Sequence, residues 1–99
     1  MPFNYISIQQ LIAEINGHNL IGTVDTTHST DAFKIEHATC CREDCTIKIF
    51  NHNKCLSLDL DIILHIERME CQHDITEYEI ATINSTIILD TYKKEGCQI

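Results

Sequence analysis

From Leu56 through Leu58, Leu60, Ile62, Leu64 and Ile66, every second residue is aliphatic. A strand sends successive side chains to opposite faces, so alternation of this length demands a sheet with one apolar side. The other side then carries Ser57, Asp59, Asp61, Ile63, His65 and Glu67. Most of the negative charge falls in the same region. Between Ser57 and Glu79 lie Asp59, Asp61, Glu67, Glu70, Asp74, Glu77 and Glu79 against the single cation Arg68, a balance of −6 within a whole-chain charge of −8. A rigid sheet with an acidic surface is expected, and a surface of that sign fits a basic partner.

With 99 residues, the chain is expected to form a single domain over 1–99, with one core and no deep cleft between lobes. Apolar residues make up 43% and charged residues 22%, which suits a folded globular chain. The negative balance argues against direct contact with nucleic acid or an anionic membrane, since phosphates demand Lys and Arg. Residues 1–5 lack the basic and apolar regions of a secretory signal, and no apolar run is long enough to span a membrane. A cytoplasmic location is therefore expected, with Cys40, Cys41, Cys45, Cys55, Cys71 and Cys97 as reduced thiols.

At the N-terminus, Ser7 and Gln10 have the spacing of a capping box, with Ile6 and Leu11 placed to form a hydrophobic staple. Ile8, Leu11, Ile12 and Ile15 then follow helical spacing, and Gly17 supplies a stop. Strands are expected over 19–24, 33–39, 46–50, 55–68, 75–83 and 86–92, with polar connections at 25–31, 51–54 and 69–74 and a turn at Asn84 and Ser85. Short turns without helical crossovers imply antiparallel pairing. The fold class is thus α+β: a short N-terminal helix packed on an antiparallel sheet of five or six strands. If 69–74 closes a hairpin, Glu67 and His65 lie beside Glu77 and Glu79, while Ile66 and Leu64 lie near Tyr78 and Ile80.

His37, Cys40, Cys41, Cys45, His52 and Cys55 are the candidate ligands for a zinc ion. Their spacing lacks the C-x2-C knuckle that lets two thiolates converge, and adjacent Cys40 and Cys41 point apart if extended. Buried or turn thiols explain them as well, so no metal or other cofactor is expected. Asp59 and Asp61 on one strand face could approach a cation or perform acid–base chemistry, but a flat strand neither wraps an ion nor forms a substrate cleft. No cysteine begins a predicted helix and no glycine-rich phosphate loop occurs. No enzymatic activity is expected.

The expected function is that of a non-enzymatic, protein-binding inhibitor. Its acidic sheet face, formed by Asp59, Asp61, Glu67, Glu70, Asp74, Glu77 and Glu79, would block a basic nucleic-acid-binding surface on a larger protein. Small acidic domains of this kind occur among phage- and plasmid-borne anti-defence inhibitors, anti-CRISPR proteins included, an analogy of class and not of motif. Two alternatives are an immunity protein or antitoxin covering a toxin's active site, and a small zinc-stabilised structural domain. Residues 86–92 carry apolar side chains on both faces and few gatekeepers, which leaves room for a homodimer through an exposed edge.

Overall fold

The computed structural model describes residues 4–26, 29–71 and 75–92. One helix, α1 (Ile8–Ile15), precedes eight strands: β1 (Asn19–Thr26), β2 (Thr30–Ile35), β3 (Thr39–Glu43), β4 (Thr46–Phe50), β5 (Cys55–Asp59), β6 (Ile63–Glu70), β7 (Thr76–Thr82) and β8 (Ser85–Tyr92). The Ser7 side chain accepts the Gln10 N–H at 3.1 Å, which satisfies one of the free donors of the first turn. Gln10 does not reach back to complete the box. Its Nε2 instead donates forward to Glu14 at 2.8 Å. Gly17 adopts φ 86°, the left-handed conformation that ends the helix.

All pairings are antiparallel, in a five-stranded sheet of order β2-β1-β8-β7-β6 and a three-stranded sheet of order β3-β4-β5. The α+β class holds, with the strands divided between two sheets. A single core joins Leu11 and Ile15 of α1, Leu20, Ile35, Ile66, Tyr78, Ile80, Ile87 and Leu89 of the large sheet, and Cys40, Ile47, Ile49 and Leu58 of the small one. The helix and small sheet therefore cover one face of the large sheet and leave its other face outward. Among the described residues, no helix is long and apolar enough to cross a membrane.

The long strand expected over 55–68 is broken. A 3-10 turn, Leu60–Ile62, separates β5 from β6 and carries the chain from the small sheet into the large one. A β-bulge follows, in which Ile63 pairs with Thr82 and His65 with Ala81, so Leu64 is the extra residue. Each interruption resets the alternation. Leu58 and Ile66 are buried, Leu56, Leu60 and Ile62 are half-buried, and Leu64 is 63% exposed instead of lying in the core.

Other boundaries differ from the sequence expectation: β1 runs to Thr26 and β2 begins at Thr30, inside the connection expected over 25–31, and β6 runs to Glu70, inside the one expected over 69–74. The strand expected over 33–39 ends at Ile35, because His37 turns the chain at φ 53° and its N–H is held by Asn19 Oδ1 at 2.8 Å. Residues 40–43, to which no strand was assigned, form β3 together with Thr39, and the turn after it places Asp44 at φ 56°. The 51–54 turn is as expected, closed by Asn51 Oδ1 accepting from the N–H groups of Asn53 at 2.7 Å and Lys54 at 2.8 Å. The last hairpin turns at residues 83–84, one position earlier than expected. Thr82 Oγ1 closes it by accepting the Ser85 N–H at 2.9 Å.

β8 is not an edge. It pairs with β1 on one side and β7 on the other, so the edge proposed for a homodimer is already occupied. Ile87 and Leu89 face the core, and the second apolar side reduces to half-buried Ile88 and Tyr92 on the outer face, with Asp90 between them. The β6 edge is partly covered by the N-terminal segment, where Ile6 N–H donates to Ile66 O at 3.0 Å and Arg68 N–H to Asn4 O at 2.9 Å.

Gly22 on β1 permits a close crossing. A Cβ there would lie 2.4 Å from the tip of the Phe33 ring and 2.9 Å from a Leu89 methyl. Gly22→Ala is therefore expected to cost ~1–3 kcal/mol by overpacking. Chemical denaturation would measure it, and a stabilised variant would show that Phe33 swings away without loss.

Candidate functional site

Antiparallel register places side chains in cross-strand rows on the large sheet's outer face. One row runs Met69, Glu77, Asp90, Ile21 and Lys34 from β6 to β2. The next runs Tyr5, Glu67, Glu79, Ile88, Thr23 and Ala32, its first member joined by an isolated bridge to Glu67. Thus Glu67 faces Glu79, and Glu77 faces Asp90, on three neighbouring strands. Tyr5, Met69 and Ile21 are exposed at the margins, giving the acidic centre an apolar frame. Tyr5 also stacks at a tilt on His65, with ring centroids 5.0 Å apart.

Of the seven expected carboxylates, Glu67, Glu77 and Glu79 share this face. The expected register is shifted: His65 faces Ala81, and Glu77 faces Met69. Arg68, not Ile66, lies opposite Tyr78, and Ile66 faces Ile80. Asp59 ends β5 in the small sheet and Asp61 sits in the 3-10 turn, so neither joins the others, and the two do not share a strand face. Glu70 lies on the opposite face, where its carboxylate accepts from Arg68 Nη1 at 3.0 Å. Asp74 is outside the described residues. Asp90 was missed although the sequence contains its signal: with Ile87 and Leu89 inward, Ile88 and Asp90 must face outward beside β7.

The face is electrostatically crowded. Burial holds the Glu77 carboxyl above its ordinary value, and the Asp90 and Glu79 charges push the same way. Asp90 Oδ1 is enclosed and has no hydrogen-bond partner among the described residues. Lys34, two strands from Asp90, is paired with Glu36 at 3.2 Å.

A second charged group lies on the inner face at the helix, and neither the periodicity nor the charge count pointed to it. Arg68 Nε donates to Glu14 Oε1 at 2.7 Å, and the Tyr78 hydroxyl donates to the same oxygen at 2.5 Å. Burial opposes ionisation of Glu14, but the hydrogen bonds from Tyr78, Gln10 and Arg68 outweigh it and hold its carboxyl below the ordinary value. Tyr78 is pushed up to about 12 by burial and by its bond to Glu14. These groups line a cleft of about 490 Å³ with His18, Glu70 and Thr91. Its one guanidinium is committed to two carboxylates, so the group reads as a tie between helix and sheet.

The candidate zinc ligands do not converge. Cys40 is buried while Cys41 lies on the other side of β3, half-buried, and Cys45 and Cys55 are exposed. His37 and His52 belong to turns that flank the strands. Among the described residues, no three His, Cys, Asp or Glu side chains are arranged to hold a metal ion. Burial, then the Cys41 charge, pushes the Cys40 thiol up to about 12, which keeps it protonated and unreactive at neutral pH.

No protein family, curated protein or solved structure matches the chain.

Proposed function

We propose that this protein is a non-enzymatic inhibitor that docks the outer face of its large sheet onto a basic, nucleic-acid-binding surface of a larger protein. The carrying observation is the register of Glu67 against Glu79 and Glu77 against Asp90. Like charges directly opposite each other destabilise a strand pair, so stability alone gives no reason for them. A cationic partner would relieve that repulsion, and exposed Tyr5, Met69 and Ile21 supply apolar and aromatic contacts around it. Inhibition would be steric and electrostatic: the carboxylates pair with Lys and Arg that would otherwise hold phosphates. An anti-CRISPR-like anti-defence protein acts by this kind of occupation, and an immunity protein on a cationic nuclease would use the same face.

The test is capture of the partner from a native host, followed by competition with that partner's nucleic acid. The intact protein should displace the nucleic acid. Joint substitution Glu67→Gln, Glu77→Gln, Glu79→Gln and Asp90→Asn should abolish this while circular dichroism stays native, because desolvated interface pairs each contribute ~1.5–7 kcal/mol. Asp59→Asn with Asp61→Asn should leave binding intact. Raising salt from about 0.05 to about 0.5 M shortens the Debye length from roughly 14 to 4 Å and should slow association. A partner bound equally well by the fourfold variant, or one that keeps its nucleic acid, would overturn the proposal.

A further inference from the structure

We propose that, on the face assigned above to a cationic partner, Glu77 and Asp90 share one proton in the free protein and release it to solvent when a guanidinium or ammonium group docks. This rests on the docking reading and adds its regulation: binding becomes pH-dependent. The two carboxyls lie directly opposite on β7 and β8, interior strands of the sheet, and both are half-buried. Asp90 Oδ1 is sealed from solvent without a hydrogen-bond donor among the described residues. An enclosed carboxylate oxygen facing a second carboxyl is satisfied most simply by a proton on that neighbour, since both groups cannot ionise at close range without cost.

Among the described residues, no cationic side chain pairs with Glu77 or Asp90 as a substitute for that proton. On β7, the nearby charged group on this face is Glu79, and on β6 the titratable groups are Glu67 and His65. β8 itself adds Tyr92, β1 contributes apolar Ile21 and Asp25, the N-terminal segment Tyr5, and β2 only Lys34. That lysine is two strands from Asp90, roughly 10 Å at the usual strand spacing, and already engages Glu36. A docked cation would supply the missing positive charge, favour both carboxylates ionised and expel the proton. The upward displacement of the Glu77 carboxyl, caused by burial and by Asp90, agrees with this geometry.

Carboxyl-carbon NMR titration of the full chain, with hexa-arginine peptide as the cationic probe, tests the proposal. In the free protein, one carboxyl of the pair should titrate above the ordinary carboxylate range of about 4, and saturating peptide should return it to that range. Peptide affinity should strengthen by up to about tenfold per pH unit through the upper titration and level off above it. Glu77→Gln should flatten this slope, since the amide keeps a donor to Asp90 but cannot lose a proton, while Glu79→Gln should retain it. Ordinary titrations in the free protein, alongside normal peptide binding, would overturn the coupling alone. A raised titration on a face that takes no hexa-arginine at any pH would overturn the coupling through failure of the docking reading.

Discussion

Replacing Leu89 with alanine is expected to cost the fold ~2–5 kcal/mol, toward the upper end of that range. Leu89 is fully buried at the middle of β8, opposite Tyr78 on β7 and Gly22 on β1. Side chains from both sheets and the helix share its core, and the paired strands on either side cannot close in to fill the void. Urea denaturation would show the loss as a lower midpoint at unchanged slope. A loss below ~1 kcal/mol would mean that the core collapses around the site. Alternation alone singles out Leu60 for the same experiment, yet Leu60 is half-buried in the 3-10 turn and should cost less.

Arg68→Met is expected to destabilise the protein by about 2–3 kcal/mol at neutral pH, although most of the side chain's volume is kept. The loss is of the charge that balances Glu14 in a site where both side chains are about one quarter exposed. The pH dependence separates this from a packing effect. The Glu14 carboxyl is held below its ordinary value of 4.5, so its stabilisation is full above that value and is lost as pH falls through the folded one. Wild-type stability should therefore fall on acidification, and the gap between wild type and Arg68→Met should narrow between about pH 7 and about pH 3. A gap that is the same at both pH values would assign the loss to packing and remove the charged tie between α1 and the sheet.

What was legible in the sequence followed from local periodicity. Ile8, Leu11, Ile12 and Ile15 marked a helix because 3.6-residue spacing puts them on one side, and Ser7 and Gly17 bounded it through backbone groups that any helix must satisfy. The period-2 stretches marked strands, and short connections made them antiparallel. Parity also put Glu67, Glu77 and Glu79 on one face, since a strand segment keeps its alternation whatever it pairs with.

Parity survives only while a strand is unbroken. The turn at Leu60–Ile62 and the bulge at Leu64 are invisible in a run that alternates perfectly through both, because each aliphatic residue there is compatible with strand, turn or bulge. The division into two sheets decided where the run had to break. Crossing from the small sheet to the large one cost two interruptions, which removed Asp59 and Asp61 from the acidic face and exposed Leu64. Strand order likewise came from packing: the turn after Thr82 pairs β8 with β7, but no neighbouring residues encode its pairing with the distant β1. The sequence by itself determined the helix, the strands and their charge. Tertiary structure alone decided which carboxylates face one another, because cross-strand register is a relation between segments and not a property of either.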